Sequence, residues 1–264
     1  MKKRMGLIMM VALLVFLGAC GKKTTEAAKG DTLVVGLDDT FVPMGFRDDD
    51  GKLTGFDVEL AQAVFDLEDK KVEFQPIEWS MKETELKNGT IDMIWNGYSK
   101  TEEREKAVLF TEPYMENVQL VVTKKDSGID TIDKMAGKVL GAQEGSSGYD
   151  AFNDQSETLK DIVKDNEPVL YASFNEAFLD LETGRIDGLL IDRVYADYYL
   201  SQKDQTDDFN LMDSTFTAEN FAVGVRKEET DLAEEINEAI QKLREDGKFQ
   251  EISDKWFGQD VYPN

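Results

Sequence analysis

Apolar residues along this chain of 264 residues alternate between short β-rich runs and longer stretches with helical spacing. The short runs predict strands over residues 32–37, 71–77, 91–95, 118–124, 138–142, 169–171, 187–191 and 221–225. Apolar positions three and four residues apart predict helices over residues 56–65, 81–87, 129–135, 146–152, 174–182, 193–200, 229–246 and 249–256. Because strands and helices follow one another in turn, the sequence predicts α/β sheets with right-handed crossovers.

Two distant segments share one pattern, in which a helix end, a glycine and an Ile-Asp pair lead into an apolar strand. They are KNGTID at residues 87–92 and TGRIDG at residues 183–188. Each glycine fits the left-handed position that commonly ends a helix. The pattern indicates two copies of one α/β unit and therefore two lobes, with chance similarity of two helix-to-strand joints as the alternative.

The N-terminus has the pattern of an export signal. Three basic residues at positions 2–4 precede the apolar residues 5–16, and LGA at positions 17–19 closes the run with small residues. A helix that crosses a bilayer needs about 20 apolar residues, so this run is short for a permanent span. We predict a signal peptide over residues 1–19 that is cleaved after Ala19.

Cys20 is the only cysteine of the chain and directly follows the predicted cleavage point. The pattern resembles a bacterial lipobox, which implies that Cys20 is lipidated and becomes the first residue of the mature protein. Residues 20–30 are small and polar and predict a flexible, lipidated tether. The expected location is outside the cytoplasm, with the lipid anchored to the cell membrane at a Gram-positive surface. An ordinary secretory signal or a signal anchor is the alternative.

Composition excludes several classes of function. Loss of residues 1–19, with three basic and no acidic residues, leaves 27 Lys+Arg against 54 Asp+Glu, a net charge of −27. This charge argues against binding to nucleic acid or anionic lipid. The chain has no histidine, which excludes a His-ligated metal and a His-based catalytic triad. One cysteine excludes an internal disulfide, and we expect neither a metal nor a cofactor.

Several motifs in the same order resemble the polar amino acid-binding proteins of ABC importers, solute-binding protein family 3. They are GLDDTFVP at 36–43, GFDVEL at 55–60, SKTEER at 99–104, FTEPY at 110–114, GKVLG at 137–141, QEGSS at 143–147, GRID at 184–187 with Asp192, and KWFG at 255–258. The resemblance implies a two-lobed, type II periplasmic-binding-protein-like fold with two strand connections at the hinge and the ligand in the cleft. Lobe 1 would comprise residues 31–115 plus 220–264, and lobe 2 residues 116–219.

A free amino acid binds only if its carboxylate and its ammonium both find partners away from water. The resemblance places Arg104 at the family's carboxylate-clamping arginine, and a guanidinium offers two donors that match the two carboxylate oxygens. It places Asp192 at the ammonium-binding aspartate, at the carboxyl end of an apolar strand. The competing structural roles are a solvated arginine, as for Lys106, and a helix N-cap for Asp192.

A glycine turn at Gly145 leads into a predicted helix that begins at Ser146. Such a turn presents backbone N–H groups and the positive end of the helix dipole to an anion. We predict that Gln143, Ser146 and Ser147 line the site and that Ser147 contacts the ligand carboxylate. A serine that only caps the helix is the structural alternative.

The resemblance adds four residues that follow one strand of lobe 1. The Gly97 carbonyl and the Ser99 hydroxyl and N–H correspond to family positions that touch the main-chain groups of the ligand. Trp95 and Asn96 occupy variable positions where specificity is set.

Three further residues correspond to positions around the ligand side chain. Phe41 and Trp79 align with residues that flank it, although core packing is the default role of any single aromatic residue. Asp38 lies at a position that in some relatives reaches the side chain, which would suit a cationic or amino-bearing ligand.

These features predict a lipid-anchored receptor, expected to be a monomer, that closes around a polar amino acid and delivers it to the permease subunits of an ABC importer. Cystine or a cationic amino acid is favoured, and arginine, glutamine and glutathione remain open. The first alternative is an exported dehydratase that uses Glu144 or Asp38 as a proton donor. The second is a sensor domain, which would need another chain for signalling because no second long apolar run follows Cys20.

Overall fold

The computed structural model describes residues 32–263, so the predicted signal, Cys20 and the tether lie outside the described residues. The described chain contains fifteen strands. They are β1 Thr32–Leu37, β2 Thr40–Phe41, β3 Gly45–Arg47, β4 Leu53–Thr54, β5 Lys71–Pro76, β6 Met93–Ile94, β7 Val108–Phe110, β8 Met115–Asn117, β9 Gln119–Lys124, β10 Leu140–Gln143, β11 Val169–Tyr171, β12 Gly188–Asp192, β13 Phe209–Asp213, β14 Glu219–Phe221 and β15 Gly224–Arg226.

Eight α-helices connect these strands, and several short 3₁₀ turns join them. The α-helices are α1 Phe56–Leu67, α2 Lys82–Asn88, α3 Glu102–Glu105, α4 Ser147–Asp154, α5 Phe174–Glu182, α6 Arg193–Gln202, α7 Thr230–Glu245 and α8 Lys248–Phe257. In α5 the Ser173 side chain caps the first turn by accepting from the Glu176 N–H. Phe174, Ala177, Phe178 and Leu181 are its buried residues, and this i, i+3, i+4, i+7 spacing places them on the face that packs against β10 and β12.

Two five-stranded sheets organise the molecule. The first has the order β5-β1-β6-β15-β7 and the second the order β11-β10-β12-β9-β13. In each sheet three strands are parallel, and the strands that complete it pair in an antiparallel manner. We call the part built on the first sheet lobe 1 and the part built on the second lobe 2.

The chain passes between the lobes twice, through β8 and through β14. These two strands pair antiparallel, with Asn117 opposite Glu219 and Met115 opposite Phe221. β8 follows β7 of the first sheet and leads into β9 of the second, whereas β14 leads from β13 back to β15. The pair is therefore a two-stranded hinge, as the fold predicted from the sequence requires.

Most predicted elements are found within one to three residues of their expected bounds, and three predictions need correction. The strand predicted over residues 221–225 is two strands, because β14 belongs to the hinge and β15 to the first sheet. The helix predicted over residues 129–135 is a 3₁₀ turn at Ile132–Met135. The strand predicted over residues 91–95 is paired only at Met93–Ile94. The small sheet β2-β3-β4, the strands β7, β8 and β13 and the one-turn helix α3 were not predicted. Except for β13, these elements have two to four residues, which is too short for a periodic pattern.

Within residues 32–263 no helix combines the length and apolar character required to span a bilayer.

Candidate functional site

Ten of the twelve predicted ligand-site residues line one buried cavity between the lobes. Lobe 1 contributes Asp38, Phe41, Trp79, Asn96, Gly97 and Arg104, and lobe 2 contributes Gln143, Ser146, Ser147 and Asp192. The space between the atoms that line it is about 280 Å³, including its opening to solvent. A larger open groove lies behind the hinge and contains none of the predicted residues. The chemistry expected from the sequence is therefore concentrated in the cleft.

The lobes contact each other across this cavity. The Phe41 ring of lobe 1 lies 5.9 Å from the Phe174 ring and 5.6 Å from the Tyr195 ring of lobe 2. The Gln143 amide of lobe 2 donates to the Asp38 carboxylate at 2.8 Å. These contacts enclose the cavity on the side of Asp38 and Phe41.

Arg104 is buried at the cavity wall with only 7% of its surface exposed. Its Nη1 donates to the Ser99 carbonyl at 3.0 Å, and its Nη2 donates to the Gly145 carbonyl of lobe 2 at 3.1 Å. The guanidinium carbon lies 4.8 Å from the centre of the Tyr98 ring, which supports the planar group from one side. Lys106, which the sequence did not distinguish from Arg104, has a side chain 70% exposed and pairs with Glu103. Of these two residues, Arg104 is the one held at the cleft.

Asp192 ends strand β12 and is 5% exposed. Although it occupies the N-cap position of α6, its side chain makes no capping hydrogen bond. Its Oδ1 instead accepts from the Asn117 amide at 2.6 Å and from the Gln119 amide at 2.8 Å. Burial, and then the nearby Glu219 carboxylate, raise the pKa of Asp192 to about 7. The side chain is thus held by two amides rather than as a helix cap.

The loop before α4 separates the roles of its two serines. Ser146 is the N-cap, and its hydroxyl accepts from the Tyr149 N–H at 3.1 Å. Ser147 is the first helical residue, and its hydroxyl contacts Ser99 of lobe 1 at 3.0 Å. Gly145 has a φ of +73°, and a Cβ there would lie 2.9 Å from the Ser80 Cα, so this close approach of the lobes requires glycine.

A buried carboxylate fixes the turn at Gly97. Asp57 accepts from the Gly97 N–H at 2.7 Å and from the Tyr114 hydroxyl at 2.9 Å. Gly97 has a φ of +54°, and a Cβ there would lie 2.8 Å from the Phe41 ring. Burial raises the pKa of Asp57 to about 7, because its hydrogen bonds offset only part of the desolvation. The sequence assigned Asp57 only a place in the first turn of a helix; the structure shows that it also holds the cavity wall.

At the other end of the cavity, Asp38 is held on both oxygens. Its Oδ1 accepts from the Thr40 N–H and hydroxyl, and its Oδ2 accepts from Gln143. Burial raises the pKa of this carboxyl, and the bonds from Thr40 and Gln143 oppose that shift. Phe41, Trp79 and Asn96 surround the space beside it. This end therefore combines aromatic walls with one acid.

A family model of the bacterial extracellular solute-binding proteins, family 3, matches residues 33–259. The chain belongs to this family. It is 34% identical over 233 residues to the L-cystine-binding protein TcyJ of Escherichia coli K12, covering 87% of this chain and 84% of TcyJ.

Two solved structures are more than half identical to the chain over the aligned residues. The first is an ABC uptake transporter substrate-binding protein from Streptococcus pneumoniae with bound histidine. It is 54% identical and has a TM-score of 0.88, and the match covers 89% of this chain and 95% of the Streptococcus pneumoniae chain. A polar amino acid ABC uptake transporter substrate-binding protein from Streptococcus thermophilus is 55% identical, covers 88% of each chain, and has a TM-score of only 0.57.

Two residues predicted for the site of this family-3 protein do not line the cavity. Trp95 is 1% exposed and packs against Tyr114 in the core of lobe 1, with ring centres 6.2 Å apart. Ser99 lies behind the cavity, where its hydroxyl contacts Ser147 and the Glu219 carboxylate. Trp95 is thus a core residue, whereas Ser99 joins the lobes.

Sequence reasoning missed four polar residues around the site, which are Lys82, Asn117, Gln119 and Glu219. Lys82 is 2% exposed, and its ammonium donates across the cleft to the Gly145 carbonyl at 2.8 Å. Burial, and then the nearby Arg104, lower the pKa of Lys82 to about 8. Asn117 and Gln119 hold Asp192, and Glu219 lies on hinge strand β14. The sequence signal for Asn117, Gln119 and Glu219 was their position at or beside the hinge, which the sequence had not resolved into strands, whereas Lys82 begins α2 and had no such signal.

Proposed function

We propose that this family-3 protein captures a polar amino acid outside the cytoplasm and delivers it to the permease of an ABC importer. The observation that carries the proposal is the pairing of Arg104 with Asp192 across one buried cavity. A guanidinium suits the ligand carboxylate and a buried aspartate suits its ammonium, so the two charges fit the ends of a zwitterion. Gly97, Ser146 and Ser147 would complete the main-chain subsite.

We infer that the bound amino acid carries a cationic or amino-bearing side chain. Within residues 32–263 the partners of the Asp38 carboxylate are the Thr40 N–H and hydroxyl and the Gln143 amide, and none of them is charged. A positive charge on the ligand side chain would pair with this carboxylate. Phe41 and Trp79 line the cavity with aromatic rings, which attract a cation, and Lys82 already lies 4.9 Å from the centre of the Trp79 ring. Relatives described as binding cystine or histidine agree with this class of ligand.

A thermal-shift screen tests the proposed function. L-histidine, L-arginine, L-cystine, L-glutamine, L-glutamate and glutathione are added separately to the mature protein. A ligand present at about 100 times its Kd stabilises the native state by about 2.7 kcal/mol, which corresponds to a rise in Tm of about 5–10 °C for a protein of this size. We expect such a rise with histidine, arginine or cystine and none with glutamate. A shift with none of the amino acids would contradict the proposal.

Closure about the hinge is the proposed means of capture. The lobes contact each other through Arg104 and Gly145 and through Asp38 and Gln143. Two relatives of nearly equal identity to this chain have TM-scores of 0.88 and 0.57. A rigid rotation of one lobe against the other accounts for such a difference without a change of fold. The ligand would then favour the closed form, because only that form lets Arg104 and Asp192 act together.

We propose that the protein does not catalyse a reaction on its ligand. Of the two acids that could serve a dehydratase, Glu144 is exposed and does not line the cavity. Asp38 lines the cavity, but both of its oxygens already accept hydrogen bonds. Recovery of unaltered ligand after prolonged incubation would support binding without turnover.

We further propose that Cys20 carries a lipid that holds the protein beside its permease, with residues 20–30 as the tether. Replacement of Cys20 with alanine should release the protein into the medium, because one lipid-modified residue would be its only anchor. Amino acid binding should be unchanged, since the site lies entirely within the described lobes. Fractionation of cells into membrane and medium measures the effect. Unchanged membrane retention of the Cys20→Ala variant would contradict the lipid anchor.

A further inference from the structure

Glu219, the first residue of hinge strand β14, connects both lobes behind the cavity. Its Oε2 accepts from the Ser99 hydroxyl of lobe 1 at 2.7 Å and from the Ser147 hydroxyl of lobe 2 at 2.8 Å. The Gln119 amide of lobe 2 donates to the same oxygen at 3.2 Å. One carboxylate oxygen therefore accepts hydrogen bonds from three side chains near the candidate ammonium site.

The protons in this cluster can be counted. Ser99 and Ser147 lie 3.0 Å apart, and each hydroxyl has one hydrogen to donate. An ionised carboxylate can only accept, and it is a stronger acceptor than a hydroxyl. Both hydrogens are therefore directed to Glu219, and both serine oxygens are left with lone pairs alone. A group in front of these oxygens must be a hydrogen-bond donor.

The Gln119 amide links Glu219 to Asp192. Its two hydrogens serve Asp192 Oδ1 at 2.8 Å and Glu219 Oε2 at 3.2 Å, and its nitrogen lies 3.3 Å from the Ser147 oxygen. Within residues 32–263 the partners of both carboxylates are neutral amides and hydroxyls. The repulsion between them contributes to the raised pKa of Asp192. This pair lacks a positive charge, which a ligand ammonium would supply.

We propose that Glu219 is a positioning residue that turns the hydroxyl of Ser147, which lines the cavity, into an acceptor for the ligand ammonium, while Ser99 completes the partners of Glu219 from lobe 1. The inference rests on the proposed function and deepens it, because the site then requires an amino group and discriminates against a carboxylic acid that lacks one. It also revises the expected role of Ser147. Its hydroxyl serves the ammonium together with Asp192, which leaves its backbone N–H and Arg104 for the ligand carboxylate.

The test compares amino acids with their des-amino analogues. L-arginine is paired with 5-guanidinopentanoate and L-histidine with 3-(imidazol-4-yl)propanoate, and affinities are measured by calorimetry or, for weak ligands, by displacement. Glu219→Gln removes the charge but keeps the size of the side chain. We expect the amino acids to lose about tenfold to a hundredfold in affinity and the des-amino acids to lose little, so that the ratio between them falls. A merely structural role would weaken both classes equally.

Glu116→Gln is the matched control, since Glu116 is exposed on the other hinge strand, opposite Asn220. It should leave both affinities unchanged. Ser147→Ala is a second variant and should lower the same ratio even if Glu219→Gln folds poorly. An equal loss for both ligand classes, or no loss, would overturn the role of Glu219. Failure of the wild-type protein to bind any amino acid would instead refute the proposed function, and this inference with it.

Discussion

Replacement of Arg104 with alanine is expected to abolish measurable binding of every amino acid that binds the wild-type protein. The guanidinium is held at the cavity by the Ser99 and Gly145 carbonyls and by the face of Tyr98. Its loss would leave a ligand carboxylate buried without a charged partner, which costs about 3–5 kcal/mol. That cost corresponds to a loss of affinity of about 100-fold to several thousand-fold. Isothermal calorimetry and the thermal-shift assay both measure it.

Two further variants serve as controls, one for the hydrogen-bond geometry of the Arg104 guanidinium and one for the loss of a nearby positive charge. Arg104→Lys keeps the charge but lacks two parallel donors, so it should recover only part of the affinity. Lys106→Ala removes an exposed cation from the turn that follows α3 and should leave binding unchanged. The fold of Arg104→Ala should persist, because the lobes also meet through Lys82 and Gly145 and through Asp38 and Gln143. Wild-type affinity in the Arg104→Ala variant would contradict the proposed site.

The sequence predicted long, periodic elements well and short ones poorly. Helix α5, with its serine cap and regular apolar face, has the predicted bounds of Phe174–Glu182. The sequence did not predict the second hinge strand as a separate element, because residues 221–225 form one apolar run whose two halves join different sheets. β14 pairs with β8 and β15 pairs with β6, and both partners lie more than 90 residues away in the sequence. The local spacing of apolar residues does not show which distant strand each half pairs with.

The candidate site was predicted through motifs rather than through spacing. Arg104 and Asp192 were found because each lies in a recognisable register. Glu219 was missed because a single acid in an irregular polar stretch has no pattern, and its partners Ser147 and Ser99 lie 72 and 120 residues away. Trp95 was placed at the site because the resemblance puts it, with Asn96, at a variable position where specificity is set. In an extended segment the side chain of Trp95 points away from the cavity, into the core of lobe 1.

The interlobe contacts indicate how ligand charge and closure would be coupled. The Gly145 carbonyl of lobe 2 accepts hydrogen bonds from both Lys82 and Arg104 of lobe 1. Glu83 lies 3.3 Å from Lys82 and Asp150 lies 3.4 Å from Arg104, so acids already offset these two cations. Within residues 32–263 the partners of Glu219 and Asp192 are neutral amides and hydroxyls. A ligand ammonium would supply the positive charge that this pair lacks, and closure would bring it between the two acids.

Asp192→Asn is expected to abolish amino acid binding and yet to leave the protein as stable as the wild type, or more stable, at pH 8. Burial and Glu219 raise the pKa of Asp192 to about 7 from an ordinary value of 3.8. Above pH 7, ionisation of Asp192 therefore lowers the free energy of unfolding by a few kcal/mol. The loss is smaller between pH 4 and pH 7, and it vanishes below pH 4, where Asp192 is protonated in both states. Asparagine keeps an oxygen for Asn117 and Gln119 and avoids this cost.

The ligand ammonium needs the ionised carboxylate, so the pH dependence of binding checks the same group. Wild-type affinity should fall by up to about tenfold for each pH unit below 7, because a proton and the ammonium compete for Asp192. The Asp192→Asn variant should show no binding at any pH, and its Tm at pH 8 should equal or exceed that of the wild type. At pH 4 this advantage should disappear, since Asp192 is then protonated. If the Asp192→Asn variant is much less stable than the wild type at pH 8, then Asp192 serves the fold. If the variant is at least as stable but does not bind amino acids, then the charge of Asp192 serves the ligand.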